Sequence, residues 1–268
     1  MQITDFDDAY QNAAYIPEAD RFLREWAEKS EAFRAKHPFK TLQYGEGPRQ
    51  FFDLFSPKDG GQGLTVIIHG GYWLRFQCRD FSHLAAGALA RGQAVAMVNY
   101  TLAPKARISQ IVDEVKRAIC LAADHVSGPI RITGHSAGGH LATRMICEDA
   151  LPKHVADRIM HVLSISGVHD LRPLLGTTMR DTLRLDPEEA SAESPALLTP
   201  RKGTRMTTVV GGDERPEFLR QTDLLANIWT GLGADTAALH LKGLHHFNVI
   251  EGLETADGPL TTLLLAEG

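Results

Sequence analysis

Short apolar runs alternate with helical patterns along most of the 268 residues, and this alternation constrains the fold more than any other sequence feature. Runs such as LTVIIHG and AVAMVNY are continuously apolar, whereas ISQIVDEVKRAICLAADH carries its apolar residues at helical spacing. Strands that are apolar on both faces and separated by helices are typical of a parallel sheet covered on both sides. The sequence therefore predicts an α/β fold with a mostly parallel central sheet and helices on both faces.

Two segments depart from this alternation. Phe22, Trp26 and Phe33 recur at helical spacing and predict an N-terminal helix over residues 17–36. The stretch from about 167 to 203 interrupts the alternation and contains four prolines, which favours an insertion over the sheet. No internal repeat or low-complexity linker divides the chain, so we expect one domain spanning residues 1–268.

Composition and charge exclude several classes of function. The net charge is −5 without a clustered basic face, so we expect no nucleic-acid partner. No run approaches the ~18 apolar residues of a membrane span, and the N-terminus lacks a signal-peptide core. We therefore expect a cytoplasmic protein without membrane association, and a homodimer remains open. Cys78, Cys120 and Cys147 are odd in number and lack metal-ligand spacing, so neither metal nor cofactor is predicted.

The segment RITGHSAGGH places a serine between a predicted strand and a predicted helix. Residues 134–138 match G-x-S-x-G, a tight turn that lifts a nucleophilic serine above the edge of a sheet. Small residues around Ser136 suit such a turn because it has no room for neighbouring side chains. The sequence predicts Ser136 as a nucleophile and places His135, beside it, in the substrate pocket.

A serine nucleophile needs a base, and two adjacent histidines follow the late predicted strand AALHLK. In folds that present a serine on a G-x-S-x-G turn, the base comes last in chain order, after the nucleophile and the acid. His246 is preferred because it immediately precedes Phe247, where we expect the last helix to begin. His245 remains the alternative base.

The acid is expected after another strand, between the serine and the histidines. The segment TTVVGGDERPEF ends such a strand and supplies Asp213 and Glu214. The acid would fix the histidine tautomer and stabilise the imidazolium that forms during the reaction. Adjacent side chains point in different directions, so only one of these two carboxylates fills the role.

The remaining requirement is a set of donors for the oxyanion. In TVIIHGGYW, Gly70 and Gly71 follow a predicted strand. Folds with a G-x-S-x-G turn take one oxyanion donor from the residue after the serine and a second from a loop at this place. Their backbone N–H groups, with that of Ala137, are predicted to bind the charge that develops on the substrate oxygen. The side chains of Tyr72 and Trp73 are predicted to line the substrate pocket.

Four motifs together resemble one known family: HGGYW, GHSAGGHLA, GGDERPEF and HHF. They are similar to the kynurenine formamidase (arylformamidase) family of α/β-hydrolases and its bacterial esterase relatives, from about residue 5 through the last helix. The resemblance implies the α/β-hydrolase fold and a serine hydrolase that removes a formyl group from N-formylkynurenine. It also implies that residues 167–203 form a cap over the pocket.

The resemblance implies Glu214 as the acid, because the family's acid lies four residues before the phenylalanine of the EF pair. Many relatives carry Asp there, so Asp213 stays the alternative. A general short-chain carboxylesterase would use the same chemistry with a wider pocket. A non-catalytic binding protein of this fold is the other alternative, although such proteins normally lose part of the motif set, all of which is present here.

Overall fold

The computed structural model describes residues 3–58 and 61–266, and eight strands in these ranges form one sheet. Their order across the sheet is β1-β2-β4-β3-β5-β6-β7-β8, with the pairs that involve β2 antiparallel and all others parallel. The predicted mostly parallel sheet is confirmed. The strands are β1 (Phe39–Gln43), β2 (Phe51–Phe55), β3 (Leu64–Ile68), β4 (Ala94–Val98), β5 (Ile130–His135), β6 (Ile159–Ile165), β7 (Arg205–Gly211) and β8 (Asp235–Leu241).

Helices connect most of these strands. The α-helices are α1 (Phe6–Ala9), α2 (Ala19–Lys36), α3 (Ala86–Ala90), α4 (Ile108–His125), α5 (Ala137–Arg144), α6 (Lys153–Ala156), α7 (Met179–Leu183), α8 (Pro187–Ala192), α9 (Pro216–Gly231) and α10 (Pro259–Leu265). Short 3-10 segments lie at Ala13–Tyr15, Cys78–Ala85, Arg172–Gly176, Pro195–Leu197 and Val249–Leu253.

The core lies on both faces of the sheet, as β3 illustrates. Val66 and Ile68 pack in one apolar cluster with side chains of α4, α5 and α9, whereas Ile67 packs in a second cluster with side chains of α2 and α10. Successive strand residues point to opposite faces, so a strand buried on both faces must be apolar throughout. This requirement explains the uninterrupted apolar run in the sequence.

Several predicted boundaries were wrong. Helix α2 begins at Ala19 instead of residue 17, because Glu18 adopts a left-handed conformation with φ of 54°. The helix after Ser136 ends at Arg144, and the chain beyond it forms a bridge between Cys147 and Pro200. No helix begins at Phe247, which lies in a turn ahead of the Val249–Leu253 segment.

The segment 167–203 departs from the strand–helix alternation, as expected, and contains α7, α8 and two 3-10 segments. Its later part is tied to α9 by the Trp229 indole, whose Nε1 donates to the backbone carbonyls of Pro195 and Leu198, both at 3.1 Å. The Trp229 side chain is fully buried. These two hydrogen bonds fix the end of the segment against the main body of the fold.

Trp229→Phe should destabilise the protein, because it removes the indole donor and leaves the Leu198 carbonyl without this partner. An unsatisfied buried polar group costs about 1–3 kcal/mol, and the smaller ring adds a cavity cost. Urea unfolding followed by circular dichroism measures the change. A free energy of unfolding within about 0.5 kcal/mol of wild type would contradict this account of the segment.

Candidate active site

The turn at Ser136 connects β5 to α5 through a strained backbone. Ser136 has φ of 56° and ψ of −117°, a conformation that non-glycine residues rarely adopt. Two glycines make the turn sterically feasible. A Cβ on Gly134 would lie 2.1 Å from the Gly138 carbonyl oxygen, and one on Gly138 would lie 2.1 Å from the Ile68 carbonyl oxygen. The local geometry is the strand–turn–helix arrangement that the G-x-S-x-G pattern predicts.

His246 and Glu214 form a buried hydrogen-bonded pair. His246 Nδ1 donates to Glu214 Oε2 at 2.6 Å, and both side chains are almost completely buried. The other carboxylate oxygen accepts from Ser166 Oγ at 2.6 Å and from the Gly211 N–H at 2.8 Å. Because the proton is on Nδ1, Nε2 of the neutral ring is the acceptor. His246 and Ser136 line the same cavity.

Ser166 was not predicted from the sequence. It directly follows β6, and Glu214 lies in the turn after β7, the strand that pairs with β6. Only the order of strands in the sheet brings these two positions together, so no local sequence pattern pointed to Ser166. Like Ser136, Ser166 has a positive φ, here 51°. Its hydroxyl holds Glu214 in place.

The alternative acid and base lie away from this pair. Asp213 is exposed to solvent. His245 Nδ1 accepts the backbone N–H groups of Phe247 and Asn248 at 3.2 and 3.3 Å, and its ring meets Phe22 edge-on at 5.0 Å. Burial lowers the pKa of His245. The structure therefore brings Glu214 and His246 to the cavity of Ser136 and leaves Asp213 and His245 outside.

The loop after β3 faces the serine turn. Gly71, Tyr72 and Trp73 have successive φ values of 104°, 53° and 58°, so the chain makes a tight left-handed turn. Within the described ranges, no hydrogen bond takes up the N–H groups of Gly71 or Ala137. Gly70 lines the cavity, and a Cβ there would lie 3.1 Å from the Ser136 Cβ. The loop backbone thus reaches the serine directly.

His69 stabilises this loop through a hydrogen bond to its backbone. Its Nδ1 donates to the Gly70 carbonyl oxygen at 2.8 Å, and its ring stacks on Tyr100 with centroids 4.2 Å apart. The Tyr100 hydroxyl donates in turn to the His69 carbonyl oxygen at 3.0 Å. Burial lowers the pKa of His69 to about 3, so the ring remains neutral and acts as a structural donor.

Ser136 opens into a cavity of about 310 Å³. Tyr72 and His135 line it, in agreement with their predicted positions. Burial, and to a smaller extent the neighbouring His246, lower the pKa of His135 well below its usual range, so this ring stays neutral. The remaining walls are mostly apolar and include Trp26, Leu74, Phe76, Phe81, Met179 and Phe247.

The placement of Trp73 in the pocket was wrong. Its side chain is fully buried in the core and meets the His140 ring edge-on, with centroids 5.1 Å apart. The left-handed backbone at Trp73 turns the indole away from the cavity and under the loop. The sequence pattern HGGYW could not distinguish these two directions.

The cavity wall facing the loop comes mainly from residues 6–15, which we name the N-terminal strap. Asp7 and residues 10–14 line the cavity, whereas the 167–203 segment contributes only Thr178 and Met179 among the described lining residues. The expectation that this segment covers the pocket is therefore corrected. No sequence signal pointed to the strap, which lies more than 100 residues from every residue of the His246–Glu214 pair and the serine turn.

Polar contacts hold the strap over the cavity. The Tyr72 hydroxyl donates to the Tyr10 carbonyl oxygen at 2.5 Å, and the Tyr10 hydroxyl donates to Glu217 Oε1 at 2.8 Å. Asp8 forms an ion pair with Arg215 at the start of α9. The strap is thus tied both to the loop after β3 and to the helix that follows Glu214.

Across residues 3–58 and 61–266, no group of three or more His, Cys, Asp and Glu side chains is arranged to hold a metal ion. Within the same ranges, no helix has the length and apolar character needed to cross a membrane.

Comparison with known proteins places this geometry in a family context. A sequence model of the alpha/beta hydrolase fold matches residues 65–221. The kynurenine formamidase of Salmo salar is 30% identical over 84% of this chain and 80% of its own length. The kynurenine formamidase of Danio rerio is 29% identical over 88% of this chain and 85% of its own.

A similar crystal structure is that of a protein from Silicibacter sp. TM1040, provisionally named a thioesterase. It is 44% identical to this chain, with a TM-score of 0.93, and the match covers 97% of this chain and 99% of the Silicibacter chain. The predicted fold is confirmed by this similarity and by the sheet topology.

Glu214→Gln should lower hydrolytic turnover strongly, whereas Asp213→Asn should retain most of it. The amide of Gln cannot fix the protonated Nδ1 of His246 as a carboxylate does, and loss of the acid costs up to about 10⁴-fold in serine proteases. Steady-state kinetics on an activated acetate ester measures both variants, and thermal unfolding checks that each is folded. Equal turnover in the two variants would contradict the assignment of the acid.

Proposed function

The chain belongs to the α/β-hydrolase family, in the group that includes the kynurenine formamidases, and from this premise we propose that it is a serine hydrolase. The proposed reaction removes a small acyl group from an amide or ester. One observation carries the proposal: Ser136, on its strained turn, shares a cavity with an imidazole whose tautomer is set by a buried carboxylate. This arrangement can activate a hydroxyl that is otherwise a weak nucleophile.

In the proposed mechanism, His246 Nε2 takes the proton of Ser136 as Oγ attacks the acyl carbon. The tetrahedral intermediate then collapses, and the leaving group departs with the proton that His246 returns to it. Water then attacks the acyl-serine while His246 Nε2 takes its proton. The second tetrahedral intermediate collapses, the carboxylic acid is released, and His246 returns the proton to Ser136 Oγ. The Glu214 carboxylate stabilises the imidazolium that forms in each step, and the Ser166 hydroxyl and the Gly211 N–H hold it in place.

The N–H groups of Gly71 and Ala137 are assigned as the donors that bind the oxyanion. Gly70 lies beside Ser136 and, without a side chain, leaves room for the substrate to reach the serine. The close packing of Gly138 against the backbone of Ile68 holds these donors in position before the substrate arrives. Donors that need no reorganisation stabilise developing charge most effectively, and removal of one typically costs about 10²–10³-fold in turnover.

The preferred substrate is a formamide of the N-formylkynurenine type. The two fish relatives carry the name kynurenine formamidase. A formyl group needs almost no acyl pocket, whereas an aryl leaving group needs flat apolar walls. The cavity is small, and Trp26, Phe76, Phe81 and Phe247 supply aromatic walls.

A short-chain ester or thioester is the second candidate. The 44% identical Silicibacter protein carries the provisional name thioesterase, and the mechanism is the same for esters, thioesters and amides. A non-catalytic binding protein is disfavoured because the serine turn, the His246–Glu214 pair and the glycine loop are all present.

His246→Ala should lower turnover by several orders of magnitude, whereas His245→Ala should have a much smaller effect. Both the base and the acid steps pass through the His246 ring, while His245 accepts backbone N–H groups of its own turn. Steady-state kinetics on one ester, with unfolding curves for both variants, measures the difference. A larger loss in the His245 variant would contradict the assignment of the base.

Formyl and acetyl substrates should be hydrolysed efficiently, and kcat/KM should fall steeply as the acyl chain grows beyond a few carbons. The comparison uses N-formylkynurenine, acetyl thioesters and p-nitrophenyl esters from acetate to decanoate. Ser136→Ala provides the background for each substrate and should lose at least about 10³-fold. Equal efficiency on acetate and decanoate would favour a broad esterase, and activity of Ser136→Ala within tenfold of wild type would refute the nucleophile.

A further inference from the structure

The N-terminal strap and the loop after β3 both line the cavity. The Tyr72 hydroxyl joins the two by donating to the Tyr10 carbonyl oxygen. Burial raises the pKa of Tyr72 above its usual range, so the hydroxyl keeps its proton and remains a donor. The relative position of the strap and the loop is therefore fixed by a direct bond beside the cavity.

The strap and the loop each contribute one charged residue to the cavity lining, Asp7 from the strap and Arg75 from the loop. Neither side chain forms an ion pair with another residue in the described ranges. Most other lining residues are apolar. An anion and a cation, both accessible to solvent, thus line a cavity whose other lining residues are mostly apolar.

Arg75 is placed by the same turn that presents the proposed oxyanion donors. Its backbone N–H donates to the Gly71 carbonyl oxygen at 3.0 Å, and its guanidinium carbon lies 5.4 Å from the centroid of the Phe76 ring. The side chain is exposed, so the guanidinium stays hydrated and accessible. The Arg75 backbone lies four residues after Gly71, in the loop that is proposed to bind the reacting end of the substrate.

Asp7 is placed by the 167–203 segment. Its Oδ1 accepts from the Thr178 N–H at 2.8 Å and from Thr178 Oγ1 at 2.9 Å, and the side chain is half-buried. These hydrogen bonds hold the carboxylate at the cavity edge and use only one of its two oxygens. Within the described ranges no hydrogen bond reaches the second oxygen, which can therefore accept from a cationic group.

We propose that Asp7 and Arg75 are specificity-determining residues that bind the ammonium and carboxylate of an amino-acid end on the leaving group. This assignment rests on the proposed hydrolase function and adds the part of the substrate that lies farthest from the scissile bond. The aryl body occupies the apolar part of the cavity, while the charged end stays beside the exposed Arg75 and the half-buried Asp7, where its charges need not be fully buried. Hydrogen bonds between charged groups are the strongest polar contacts available for such selection.

Two formamides that differ only in this end provide the test. N-formylkynurenine carries the amino-acid group, and 2′-formamidoacetophenone has the same ortho-acyl formanilide without it. The measured quantity is the ratio of their kcat/KM values. Arg75→Met and Asp7→Asn should each lower this ratio about tenfold, Arg75→Glu should lower it further, and added salt should lower it in wild type by screening the exposed charges.

Arg24→Met is the matched control, because Arg24 is an exposed arginine that does not line the cavity; its ratio should equal that of wild type. A ratio within twofold of wild type in both Arg75→Met and Asp7→Asn would overturn the assignment of the charged pair. If wild type hydrolyses 2′-formamidoacetophenone in that case, the proposed hydrolase function stands without it. Failure of wild type to hydrolyse either formamide, or any ester, would overturn the proposed function and this assignment together.

Discussion

The close approach of helix α5 to strand β3 is the contact on which the rest of the site depends. It exists because residue 138 is glycine: a Cβ there would lie 2.1 Å from the Ile68 carbonyl oxygen and 2.7 Å from that of His69. The approach keeps Ser136 in its strained conformation and brings the start of α5 against the start of the glycine loop. The proposed nucleophile and oxyanion donors are therefore positioned by one packing contact, and strain at Ser136 is offset by burial around it.

The parallel arrangement of the sheet explains why distant residues meet beside this contact. Strands β5, β6, β7 and β8 are neighbours in that order, and parallel strands end at the same edge. Ser136, Ser166, Glu214 and His246 each follow one of these four strands. Ser166 and Glu214 come from adjacent strand ends, which is why a hydroxyl is available to fix the carboxylate that holds the imidazole.

The strap shows how selectivity can be separated from reactivity in this fold. The residues assigned to the reaction follow strands of the sheet, where the core restrains the backbone. One part of the cavity wall comes instead from a short N-terminal segment held by a few polar contacts, among them Tyr72 to Tyr10 and Asp8 to Arg215. Segments of this kind change without disturbing the sheet, so relatives with the same reactive geometry can accept different leaving groups.

The sequence by itself determined the architecture and indicated the positions proposed for the reaction, because both depend on local patterns. Apolar strands alternating with helical periods require a covered parallel sheet, and G-x-S-x-G between a strand and a helix permits few conformations. It favoured Glu214 and His246 but kept Asp213 and His245 as alternatives, since adjacent residues share the same loop. The tertiary structure decided those pairs by burial and hydrogen bonding: Glu214 and His246 point inward and bond to each other, while Asp213 is exposed and His245 accepts its own backbone. Only the tertiary structure could show that Trp73 lies in the core, that Ser166 donates to Glu214 and that the strap lines the cavity. Each of these roles depends on contacts between segments far apart in the chain.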